Sequence, residues 1–236
     1  MPKVAQQSPA ARPPVPNVRV RTRNSRHVLD AARSFVERHG LEELSMRRLA
    51  DEAEVSVRTL YNLFGDKQGL IAALVQQSFD AMDAAAEGVE ATDPIERIWE
   101  AVAVSVAATT RHVPKAVVAA IVADAALYRR LAQGWHGRRA VAQSIDAAMR
   151  SGALRTDLAP DLLVQHAGTV FLHLLGRWAA DEIDERVLQA GVLHAFDVCL
   201  LAIARPHVRT RLVEHAAGLE VHRSRLLELD PAKQAR

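Results

Sequence analysis

Apolar residues recur at helical spacing along most of the chain, and the breaks between runs fall on residues that start or stop helices. From Asn24 the pattern is helical: Val28, Ala32, Phe35 and Val36 share one face, Asn24 or Ser25 is placed to cap the start, and Gly40 supplies a left-handed stop. Two short helices follow. Ser45 precedes MRRLADEA and Ser56 precedes VRTLYNLF, each serine positioned to accept a backbone N–H from the first turn. Gly65-Asp66 then leads into a long helix from Lys67, with Asp66 as its cap. Asp93-Pro94 opens a helix towards His112, and Pro114 opens the next. Residues 124–151 read as one or two helices with weak points at Gly134 and Gly137, closed by Ser151-Gly152. Helices over about 161–181, from Asp184 to near Ala204, and from Pro206 towards Leu229 complete the pattern. No alternating strand pattern and no fixed-period repeat is present, so the expected architecture is all-α.

The informative stretch is 45–64. Met46, Leu49, Ala50 and Ala53 form the inward face of one short helix, and Leu60, Leu63 and Phe64 that of the other, with Val55 filling the turn. Small Ala50 and Ala53 permit close approach, and Ala32 and Phe35 can complete a three-helix core. That packing turns Val57, Arg58, Tyr61 and Asn62 outward, with Thr59 near the helix start. Arginine pairs bidentately with guanine, asparagine with adenine, and an apolar side chain meets the thymine methyl. Hydroxyls of Thr59 and Tyr61 suit phosphate oxygens, and the helix starts at Ser45, Ser56 and Lys67 offer free N–H groups.

At these residues the chain resembles the TetR/AcrR family of bacterial regulators. The resemblance is carried by Phe35-Val-Glu-Arg-His-Gly40, Ser45-Met-Arg-Arg-Leu-Ala50, Val55-Ser56, Thr59-Leu60-Tyr61, Phe64, Asp66-Lys67 and Leu70, over about residues 25–71. It implies an N-terminal three-helix helix-turn-helix DNA-binding domain and a C-terminal helical ligand-binding and dimerisation domain. The implied division is a disordered basic arm over 1–23, the DNA-binding domain over 24–70, and an effector-binding and dimerisation domain over 71–236. In the family the residue matching Ser45 opens the positioning helix, those matching Tyr61 and Lys67 commonly touch the DNA backbone, and those matching Val57, Arg58 and Asn62 lie at the groove. With Arg47, Ser56 and Thr59 these make the expected DNA-contact set. Where the family often has glycine, this chain has Glu54. The family also implies a homodimer built on helices at about 161–181 and 184–204. Leu163, Ala167, Val170, Leu174 and Trp178 stripe the first, and Val187, Val192, Ala195, Val198 and Leu201 make the second strongly apolar.

Composition and charge refine this picture. Aromatics are scarce, nearly half the residues are apolar, and the single cysteine, Cys199, allows no disulfide within the chain. A reducing cytoplasm is the expected location, with no signal peptide and no membrane-length apolar run. The net charge of +2 is uneven. Lys3, Arg12, Arg19, Arg21 and Arg23 meet no acid before Asn24, whereas residues 71–204 carry eleven basic and sixteen acidic side chains. Residues 24–70 hold seven basic and eight acidic residues, so the reading segment is nearly neutral and the basic arm is a candidate phosphate contact. Trp99, Leu127, Tyr128, Trp135, Met149, Phe171 and Leu175 are the bulky groups available to an effector pocket, with His166 as a candidate polar anchor. No G-x-S-x-G, Walker loop, GxGxxG or H-E-x-x-H is present, and no cluster has zinc-site spacing, so neither an enzyme nor a cofactor or metal site is expected. The expected function is a homodimeric repressor that binds double-stranded operator DNA and is released by a small, largely apolar effector. An activator of the same fold, or a helical ligand-binding protein without DNA binding, are the alternatives.

Overall fold

The structure is a computed structural model that describes residues 18–124 and 139–228. Ten helices make up its regular structure among the described residues. They are α1 (Val18–His39), α2 (Met46–Glu52), α3 (Val57–Phe64), α4 (Lys67–Glu87), α5 (Pro94–His112), α6 (Lys115–Ala123), α7 (Arg139–Arg150), α8 (Pro160–Ala179), α9 (Glu185–Leu201) and α10 (Pro206–Glu228). A single isolated β-bridge, Leu154 to Ala204, ties the loop after α7 to the loop after α9.

The expected stops and starts hold. Ser45, Ser56, Asp66, Asp93 and Asp184 each accept a backbone N–H from the turn they open. Each thereby satisfies a donor that the helix itself cannot. Gly40, Gly65 and Gly152 take positive φ at the ends of α1, α3 and α7. One start differs. α1 begins at Val18, not at an Asn24 or Ser25 cap. Pro16 is the last helix breaker, and Asn24 and Ser25 sit inside the helix, where such residues are tolerated at small cost. The expected boundary at residue 23 thus falls within a helix, while residues 1–17 lie outside the described residues, as do Leu127, Tyr128, Gly134, Trp135 and Gly137.

Helices α1 to α3 and the start of α4 share one core. Val28, Ala32, Leu49, Ala50, Ala53, Leu60 and Leu70 are buried in it. In the body, α9 packs on α5, α8 and α10. The sequence suggested that one side of α9 meets its own chain and the other a twin; here α10 takes up much of that apolar surface. The α8–α9 seam is tight: a Cβ on Gly191 would lie 2.7 Å from Leu174 Cδ1. Among the described residues no single helix is long and apolar enough to cross a membrane; α5 and α6, which pass such a test jointly, are bent by 97° where they meet.

A polar network locks this assembly. Asp197 on α9 is fully buried, accepts from Trp99 Nε1 at 2.6 Å, and pairs with His215 Nδ1 at 2.6 Å. The Trp99 and His215 rings stack with centroids 3.8 Å apart. Arg211 also lies over the Trp99 ring, 5.2 Å from its centroid, and forms a two-pronged ion pair with Asp93, the α5 cap. One cluster thus fixes α5, α9 and α10 together. The Arg211 side-chain hydrogen bond holds the Asp93 carboxyl down at about 2. A carboxyl depressed on folding contributes stability that is fully present above its ordinary value and is lost as the pH falls through the folded one. Arg211→Met should therefore lower stability at neutral pH. It should also remove the part of the acid-induced loss that falls between about pH 4 and pH 2, as read from urea midpoints across that window.

Candidate nucleic-acid interface

The α2–α3 turn is short, running from Ala53 to Ser56. The Ala53 N–H bonds Leu49 O, and the Val55 N–H reaches back to Ala50 O at 3.0 Å. Between them Glu54 adopts φ 51°, the left-handed region. This is the position where glycine is common in the resembling family, and a glutamate there stores strain. Side chains from α1 brace the turn. His27 Nε2 lies 3.1 Å from Ala53 O, and Arg38 pairs with Glu52. Neither contact was read from the sequence, because i-to-i+26 and i-to-i+14 pairs leave no local pattern.

α3 buries one side and exposes the other. Leu60 is fully buried, Leu63 and Phe64 are half-buried against the core, and Val57, Arg58, Tyr61 and Asn62 are exposed. Tyr61 is 52% exposed, far more than an aromatic needs for packing. Arg58 and Tyr61 lie three residues apart on one face, as do Arg58 and Asn62 at four. Thr59 is half-buried, and its hydroxyl lies 2.8 Å from the Ser56 hydroxyl, which also accepts the Thr59 N–H. One hydroxyl proton of that pair is therefore spent internally, leaving one free to donate outward.

Ser45 is exposed and accepts the Arg48 N–H at 3.2 Å. Arg47 is exposed, whereas Arg48 is paired with Glu43 and sits over the Phe35 ring. Lys67 has a partner within the chain. Its Nζ donates to Leu41 O at 2.8 Å, so it ties the start of α4 to the α1–α2 loop. Next to it, a Cβ on Gly69 would run into the Phe64 carbonyl oxygen. Glycine at that position lets α3 and α4 meet at a sharp corner.

The body contains a narrow apolar cavity of about 40 Å³. Its walls come from α4 (Met82), α5 (Val102, Ser105, Val106), α7 (Val141), α8 (Val164, Gly168, Phe171) and α9 (Val192, Phe196). The Ser105 hydroxyl is turned away onto Ala101 O at 2.6 Å. Of the pocket residues read from the sequence, Phe171 lines this cavity. Met149 and Leu175 are buried in the core beside other neighbours. Trp99 is committed to Asp197 and His215. His166 is exposed and its Nδ1 lies 2.7 Å from Leu162 O, one turn back. Leu127, Tyr128 and Trp135 lie outside the described residues. The walls are mainly small and β-branched residues on facing helix sides, where bulky groups were expected. Among the described residues no group of three His, Cys, Asp or Glu side chains could hold a metal.

An all-α chain with a capped helix-turn-helix at one end and a helical body behind it is a class known from solved structures. Residues 28–74 match the family model "Bacterial regulatory proteins, tetR family". A repressor named KstR from Rhodococcus jostii is 30% identical over 73 residues, 31% of this chain and 34% of that protein. The chain thus matches about a third of the length of its curated relatives. FadR of Thermus thermophilus, a TetR-family repressor solved with lauroyl-CoA, superposes with a TM-score of 0.56 at 19% identity, covering 75% of this chain and 93% of that one. RolR, solved with resorcinol, superposes with a TM-score of 0.62 at 15% identity, covering 85% and 96%. These likenesses carry the fold across the body. Over residues 28–74 the chain is thus similar to the DNA-binding segment of TetR-family regulators.

The strained turn makes a direct prediction. Glu54→Gly removes the left-handed penalty at a small entropic cost, so it should stabilise the chain by about 1 kcal/mol. A rise in the urea midpoint with unchanged slope would show this; a fall would mean that the Glu54 side chain holds the turn by a contact worth more than the strain.

Proposed function

We propose that this chain is a homodimeric transcriptional repressor that binds double-stranded operator DNA through α3 and leaves it when a small, largely apolar effector occupies the body. The observation that carries this reading is the sidedness of α3, with Leu60 hidden and Val57, Arg58, Tyr61 and Asn62 exposed. Arg58 and Asn62 are the base-reading pair, and Val57 meets a thymine methyl. Ser45, Arg47, Ser56, Thr59 and Tyr61 serve phosphate oxygens. Lys67 has two roles on this reading: it holds the Leu41 carbonyl and presents positive charge to the backbone. The division of labour is a basic arm over 1–23, a reading head over 24–70 and an effector and dimer body over 71–236, with α1 running through the first boundary.

A single helix-turn-helix reads few base pairs, and a two-fold dimer places two of them about 34–36 Å apart, one turn of DNA. Apolar groups remain uncovered along α8 and α9: Leu162, Val170 and Val198 are 41–53% exposed. A second copy seated there would cover them. Binding proteins of this fold have been solved with lauroyl-CoA and with resorcinol. The cavity between α4, α5, α7, α8 and α9 is the candidate effector site here. The chain acts by binding, without catalysis. Its location is the cytoplasm, where operator DNA is found.

Duplexes selected from a random pool by the wild-type protein test the reading. Gel shifts should give a two-fold symmetric site, and Arg58→Ala and Asn62→Ala should each cost roughly 1–3 kcal/mol on it and relax its specificity. If the wild-type protein enriches no sequence at moderate salt, the repressor reading fails.

A further inference from the structure

Arg33 lies on α1, in the reading head, yet its side chain reaches the body. Its Nε donates to the carbonyl of His112, the last residue of α5, at 2.9 Å. Its Nη2 donates to Gln77 Oε1 on α4 at 2.6 Å, and Nη1 stands 3.6 Å from Asp30. The side chain is 18% exposed, so the charge is largely withdrawn from water. A guanidinium at a helix C-terminus meets free carbonyls and the negative end of the helix dipole. We infer that Arg33 is the latch that couples the body cavity to the orientation of the reading head. Its part in releasing DNA rests on the repressor reading above.

The path runs along α5. Val102, Ser105 and Val106 form one wall of the cavity. His112 lies six residues beyond Val106, about 9 Å along the helix axis. The intervening turns are softened. Ser105 and Thr109 turn their hydroxyls back onto carbonyls of the preceding turn, at 2.6 and 3.0 Å, while the Thr110 hydroxyl lies 2.9 Å from the Glu185 carboxylate. Such back-bonding competes with the helix ladder and favours bending. At the far end α5 breaks into α6 with a bend of 97°. Pressure on the Val102–Val106 wall is therefore passed along α5 to the His112 carbonyl at its end. Moving that carbonyl relocates the Arg33 head group, and with it α1, on which α2 is braced through Arg38 and Glu52. Arg33 is a positioning residue on this account, since it touches neither DNA nor effector.

A double-mutant cycle on the full chain tests this, with a cavity-filling substitution standing in for the effector. Val106→Phe fills the cavity from α5. Hydrogen exchange is followed in peptides spanning residues 26–64. With Arg33 present, Val106→Phe should raise head exchange about fivefold. With Arg33→Met, head exchange should already be raised, and Val106→Phe should change it less than about twofold. Arg33→Lys, which keeps one donor, should restore part of the response. Equal effects of Val106→Phe in both backgrounds would overturn the latch, as would unchanged exchange in Arg33→Met alone. If circular dichroism shows Val106→Phe unfolded, Val164→Phe fills the same cavity from α8; no head response to either, in folded protein, also overturns it. Retention of a wild-type-selected duplex is measured in parallel. If the wild type selects no duplex, the repressor reading falls, while the exchange cycle still decides the latch.

Discussion

Leu60 is the one residue of α3 that is buried, and the exposed face of the helix depends on it. A helix of eight residues has little stability alone, since nucleation consumes much of what two turns return. α3 persists because Leu60 enters the core with Leu49, Ala50 and Ala53, because Ser56 caps its start, and because Gly65 ends it with φ 79°. Alanines at 50 and 53 let α2 come close enough for one leucine to fill the space between. The strain at Glu54 belongs to the same geometry: a turn this short needs one left-handed residue, and the chain spends it on a side chain that disfavours it.

The body solves the opposite problem. α9 is apolar on most sides and could settle in several rotations against α5, α8 and α10. Asp197 removes that freedom. A buried carboxylate is costly unless its lone pairs are used, and here Trp99 and His215 use them. Burial pushes the Asp197 carboxyl upward, while the two donors pull it down. Any rotation of α9 or α10 would orphan the group, so the network specifies one packing. Gly191 against Leu174 adds a steric key at the same helix.

Local chemistry was the legible part. Caps at Ser45, Ser56, Asp66, Asp93 and Asp184 could be read because each signal lies within three residues of what it satisfies. The outward set on α3 followed from 3.6-residue periodicity. Contacts between distant residues were not legible. Arg33 to His112 spans 79 positions and Trp99 to Asp197 spans 98, and neither leaves a periodic trace. Asp197 did leave a hint, as a lone acid inside the run HAFDVCLL. Lys67 shows a different limit: a sequence gives the charge of a lysine but not whether a nearby carbonyl has already claimed it. α1 was cut short because Asn24 and Ser25 look like caps, although nothing between Pro16 and Gly40 obliges a helix to start there.

The size of the cavity bears on how the proposed regulation would work. Ligand sites are commonly about 300–1,000 Å³. The cavity bounded by the described residues is about 40 Å³, far below that. An effector with more than a few heavy atoms could enter only by moving helices apart. The cost of that movement must be met by the ligand's own apolar burial, and only differential affinity between the closed and opened states can shift the equilibrium. A narrow cavity is suited to coupling, because a ligand larger than the cavity must move its walls to bind there. α8 and α9 are held by the Gly191–Leu174 seam, and α9 also by the Asp197 network. Past the α5 wall, Ser105 and Thr109 back-bond to the preceding turn on the way to His112. α5 is anchored by the same network through Trp99, and of the walls around the cavity it is the one whose last carbonyl the reading head holds.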